Sequence, residues 1–147
     1  MSYTTWHNYG YGIRTDAIET TPERIEQMLA LAPKYAAKIH ASFADCEIAV
    51  PTVDDYIETA GEFDCGYCGM ASLMKGVIEE AECIKLIACD DCGCRNFLIY
   101  PPRYPWRITE KDMTLTEEGL RQIFAKYVNI LTEQVLDVDY QEVEKGG

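Results

Sequence analysis

The chain has 147 residues, 48% of them hydrophobic, and a formal net charge of −12. That length suits one domain spanning residues 1–147 around one main core, and the composition excludes a disordered tail. The charge argues against direct nucleic-acid binding, and with no run approaching 18 consecutive apolar residues there is no membrane span.

The first residues, Met1 to His7, lack the basic start and long apolar stretch of a secretory signal, so a cytoplasmic protein is expected. Thiols stay reduced there, and seven cysteines, an odd number, do not close into a disulfide framework. The charge is uneven. Residues 1–64 hold 11 acidic and 4 basic groups, residues 65–109 hold 5 and 5, and residues 110–147 hold 9 and 4.

The run Trp6 to Ile13 alternates aromatic and small residues and reads as a core strand. Tyr9, Tyr11 and Ile13 share one face, and Gly10 and Gly12 lie on the other, where another element can approach closely. His7 is a candidate ligand or base, although a lone histidine is more often structural. A helix follows, capped by Thr21 with Pro22 at its first position, or by Thr20 with Glu23 completing a capping box. Ile25, Met28, Leu29 and Ala32 repeat at helical spacing. At Pro33 this helix kinks or a second one begins, carrying Tyr35, Ala36, Ile39 and Phe43 inward and His40 outward.

Thr52 caps a short helix with Asp54 and Asp55 in its first turn, where the dipole favours acid, and Gly61 is expected to stop it. Met70, Leu73, Met74, Val77, Ile78 and Ala81 then mark an amphipathic helix. Ile84–Ala88 and Asn96–Tyr100 read as a hairpin. Pro101 to Arg107 is an extended run in which arginines alternate with aromatics, expected to pack Trp106 on the core. A last helix starts at Thr114 or Thr116, with Leu120, Ile123, Phe124, Tyr127, Val128 and Leu131 on its apolar face. Val135–Tyr140 alternates as a final strand, and residues 142–147 are expected to fray. This order predicts an α+β fold: a small, mostly antiparallel sheet with packed helices.

The strongest motif lies in the near-neutral middle. Cys65-Gly66-Tyr67-Cys68-Gly69 and Cys89-Asp90-Asp91-Cys92-Gly93 are two Cys-x-x-Cys pairs 20 residues apart, each followed by glycine. This spacing is that of a four-cysteine structural zinc site, zinc-knuckle-like, with Cys65, Cys68, Cys89 and Cys92 as ligands and no open position. Cys94 is an alternative fourth ligand. The other readings are free reduced cysteines or a redox pair, and the latter lacks its βαβ context. The first pair opens the amphipathic helix, whose dipole lowers thiolate pKa values. Cys46 and Cys83 have no partner spacing and are expected to be buried small apolar residues.

No Walker loop, Gly-x-Ser-x-Gly elbow or His-Glu-x-x-His motif is present, so the expectation is a non-enzymatic binding protein. Acidic flanks suit a basic surface on a partner, above all a nucleic-acid-binding protein. The run Trp6 to Ile13, Tyr104-Pro105-Trp106, and Asp139-Tyr140-Gln141 with Gly146-Gly147 resemble a family of small acidic proteins of phages and mobile elements of Gram-positive bacteria. The likeness covers most of the chain. Cysteine-containing proteins of this kind look like type II anti-CRISPR inhibitors. That resemblance implies a non-enzymatic inhibitor in a host bacterial cell whose partner is the CRISPR effector nuclease, blocked before target DNA is loaded. Inhibitors of this class share no common fold, so the resemblance implies no site residues. The alternative is a zinc-stabilised adaptor on a host transcription or replication protein.

Overall fold

A computed structural model describes residues 5–64, 66, 68–91, 95–100 and 115–146. The elements follow the order β1 (Thr5–Arg14), α1 (Pro22–Leu29), α2 (Pro33–Asp45), α3 (Val53–Asp64), α4 (Gly69–Glu82), β2 (Ile87–Asp91), β3 (Arg95–Tyr100), α5 (Glu117–Leu131) and β4 (Asp139–Gly146). The fold is α+β, as the pattern predicts. The four strands form one sheet in the order β2-β3-β1-β4, and every neighbouring pair is antiparallel.

Helix starts follow the local chemistry. The Thr21 side chain accepts from the Arg24 N–H, with Pro22 at the first helical position. Pro33 opens a separate helix instead of kinking α1. Thr52 and Asp55 form a reciprocal box: the Asp55 N–H donates to Thr52 Oγ1 at 3.2 Å, and the Thr52 N–H donates to Asp55 Oδ2 at 2.8 Å. Thr116 caps α5 by accepting from the Gly119 N–H.

The core sits between the helices and one sheet face. Ile13, Leu98 and Tyr100 of the sheet meet Met28 and Leu29 of α1, Leu73, Met74 and Val77 of α4, and Phe124 and Tyr127 of α5. Each large side chain buried there contributes about 1.5–3 kcal/mol relative to exposure. Strand alternation turns Ile87, Cys89, Phe97 and Ile99 to the other face, where they form a smaller cluster. Gly12 is fixed by close approach. A Cβ there would stand 2.2 Å from the Leu98 carbonyl oxygen of β3, so the element foreseen beside this glycine is its own sheet neighbour.

Several expectations fail, each for a tertiary reason. Gly61 does not stop α3, which runs on to Asp64; it is buried, and its carbonyl accepts from the Gly66 N–H. Ala81 is exposed because the buried stripe of α4 ends at Ile78. The first hairpin strand starts at Ile87 rather than Ile84. Ile84 and Leu86 are still buried, so their hydrophobicity reports burial and not pairing. The C-terminal segment is strand β4, laid along β1 from Thr5↔Gly146 to Gly12↔Asp139. Its ladder partners lie more than 120 residues away in sequence, so no local pattern announces it. Of the alternating Val135–Tyr140 run, only its last two residues belong to β4.

Candidate functional site

The described part of the first cysteine pair packs against the β2–β3 hairpin. Cys68 is the N-cap residue of α4, and its thiol is buried with Sγ 3.5 Å from the Ala88 carbonyl oxygen of β2. Gly69, which follows the first pair, takes a positive φ of 35°, as does Gly66 within the pair at 81°; Gly93 lies outside the described residues. A Cβ at Gly69 would lie 2.9 Å from Asn96 Oδ1 of β3, so the first loop is seated on the hairpin. Cys89 is fully buried in β2. It faces Phe97 and Ile99, on the sheet side away from Cys68.

Cysteine sulfur is a zinc donor by type, but Cys68 and Cys89 belong to clusters on opposite faces of the sheet. Cys65, Cys92 and the alternative Cys94 lie outside the described residues. Among the described residues no group of three or more Cys, His, Asp or Glu is placed to hold a metal ion. Cys46 and Cys83, expected to be buried, are instead exposed free thiols. Both occupy helix C-cap positions beyond the last buried turn, Cys83 with a φ of 56°. His7 lies in β1. The Arg103, Tyr104, Trp106 and Arg107 run lies outside the described residues.

The acidic flanks resolve into one distinctive face. Between Lys38 and Lys75 the sequence has seven acidic residues and no lysine or arginine. Asp54, Glu58 and Glu62 stand exposed at i, i+4 and i+8 along α3. None of the three has an ion-pair partner among the described residues. Like charges four apart cost roughly 0.2–0.5 kcal/mol per pair, so α3 carries a ladder that opposes its own stability. Glu117 of α5 differs: it pairs with Arg121 one turn on at 2.5 Å.

Behind this face a polar clamp ties three helices. Glu26 of α1 accepts from Tyr56 Oη of α3 in a short hydrogen bond and meets His40 Nε2 of α2 at 2.9 Å. Burial pushes the Glu26 carboxyl up, but the bonds from Tyr56 and His40, with the His40 charge, outweigh it and hold the carboxyl below its ordinary range. Burial and the Glu26 bond push the Tyr56 hydroxyl upward. A second clamp joins α4 to α5, where Tyr127 Oη donates to Glu82 at 2.8 Å and Lys126 pairs with the same oxygen. Both clamps join residues 14 to 45 positions apart, so periodicity alone marks His40 and Glu82 only as solvated.

Known proteins offer no guide to the site: no family model matches the chain, and no curated protein and no solved structure shows significant similarity to it. Among the described residues no helix is long and apolar enough to cross a membrane.

Proposed function

We propose that this protein is a non-enzymatic, acidic inhibitor that docks on a CRISPR effector nuclease and blocks loading of target DNA. In this reading a structural zinc ion on Cys65, Cys68, Cys89 and Cys92 holds the first loop to the hairpin. The observation that carries the proposal is the exposed carboxylate ladder Asp54, Glu58 and Glu62 on α3, which has no ion-pair partner among the described residues. A helix that keeps a self-repelling face gains from it only when a basic surface neutralises it. The effector holds its guide–target duplex in a positively charged channel, a surface of the required sign. The sequence resemblance to anti-CRISPR inhibitors supplies the identity of the partner.

Purified protein added in excess to the nuclease–guide complex is expected to abolish target-DNA binding, and rising salt is expected to weaken the block as the Debye length shortens. Unchanged DNA binding in excess inhibitor overturns the proposal. The zinc reading has its own test. Metal analysis is expected to give one zinc per chain, and Cys89→Ser to lower the melting temperature sharply, since structural zinc contributes on the order of 10 kcal/mol in peptide models. A metal-free protein whose melting is indifferent to a chelator removes zinc from the account.

A further inference from the structure

The side of α3 turned away from the carboxylate ladder borders a cleft of about 490 Å³ between α2, α3 and α4. Its lining runs against the charge of the molecule. Four of the chain's seven lysines, Lys34, Lys38, Lys75 and Lys85, surround it. Three carboxylates also line it, and each is already engaged by the protein. Asp64 accepts from Ser72 Oγ at 3.0 Å and faces Lys75 at 3.5 Å. Glu79 accepts from the Leu86 N–H and meets Lys75 at 3.6 Å. Glu80 accepts from the Lys34 and Tyr35 N–H groups, both at 3.0 Å, and so caps α2.

The ammonium groups of Lys34, Lys38 and Lys85 are left with no ion-pair partner among the described residues. Lys38 Nζ sits 4.3 Å from the ring centroid of Phe63, which holds it at the rim. The Tyr35 ring lies on Gly76, where a Cβ would come within 2.3 Å of two ring carbons. A glycine inside a helix is destabilising, so this notch is kept for the ring. The Tyr35 hydroxyl is buried with no hydrogen-bond partner among the described residues.

We propose that this cleft binds a small phosphorylated molecule, its phosphate held among Lys34, Lys38 and Lys85 and its apolar part against Phe63 and Tyr35. Three separate point charges suit a phosphate monoester, which carries a charge of about −1.5 to −2 at neutral pH, better than a single carboxylate. The volume is that of an ordinary small-molecule site. This inference is independent of the docking face on the other side of α3.

The test titrates the full chain with adenosine monophosphate, ribose 5-phosphate and adenosine, followed by calorimetry and by amide NMR. The monophosphate is expected to bind saturably, with shifts centred on Tyr35, Ser72 and Gly76. Ribose 5-phosphate should bind more weakly, and adenosine not at all. The double variant Lys34→Gln/Lys38→Gln should weaken binding by about tenfold or more with an unchanged melting temperature. Absence of saturable binding by both phosphates overturns the proposal, as does binding that survives the double lysine substitution.

Discussion

The two sides of α3 carry the same kind of residue in opposite circumstances. On the outer side Asp54, Glu58 and Glu62 face solvent with no ion-pair partner among the described residues. On the inner side Asp64, with Glu79 and Glu80 of the neighbouring α4, is bonded to backbone N–H groups, a serine hydroxyl or a lysine. There the lysines are in surplus. Net charge therefore says little about either surface. What matters is which charges the fold has already satisfied, because only the unsatisfied ones have interaction free energy left for a partner.

Four substitutions test this contrast, taken from the largest expected effect to the smallest. Gly76→Ala has opposing terms. Helix propensity favours alanine by about 1 kcal/mol, but the new Cβ meets the Tyr35 ring at 2.3 Å. Overpacking of this kind costs about 1–3 kcal/mol, so net destabilisation in urea unfolding is expected. A more stable variant would mean that Tyr35 is not seated on this notch. Glu80→Ala removes the cap of α2, whose own N-cap residue Ala32 supplies none, and should cost about 1 kcal/mol in the same assay.

The matching change on the outer side has the other sign. Glu58→Lys turns two like-charge contacts into attractive ones and should stabilise the protein by roughly 0.5 kcal/mol, while weakening its hold on a basic partner. If Glu58→Lys destabilises instead, the ladder is satisfied by a contact not yet seen, and the docking argument loses its premise.

The smallest effect concerns pH. The Glu26 carboxyl is held below its ordinary value of 4.5, so its contribution is present above that value and is lost as pH falls through the lowered one. Tyr56→Phe removes one of the bonds that lower it. Unfolding curves between neutral pH and about pH 3 should therefore show a shallower acid loss in the variant than in the parent. The difference is small, because the His40 and Glu26 side chains are 48% and 43% exposed and solvent screens them. Identical acid slopes would show that Tyr56 does not act on Glu26 in solution.

Much of this fold is legible in the chain itself. Thr21-Pro22, Thr52 and Thr116 mark helix starts because a cap is a contact within four residues. The stripes of α1, α4 and α5 are legible because burial imposes a 3.6-residue period, and the α+β order follows from them. The Cys-x-x-Cys spacing is local too, and the zinc proposal rests on that spacing. Tertiary structure alone decided the rest. The C-terminal residues expected to fray became a strand only because β1 offers them a ladder. Cys46 and Cys83 proved exposed because helix ends, not residue type, set their position. The division of α3 into an unsatisfied outer face and a satisfied inner one depends on Glu80 reaching the start of α2 and Lys75 reaching Asp64. Such contacts join residues far apart in sequence, and a one-dimensional pattern records only that each is charged.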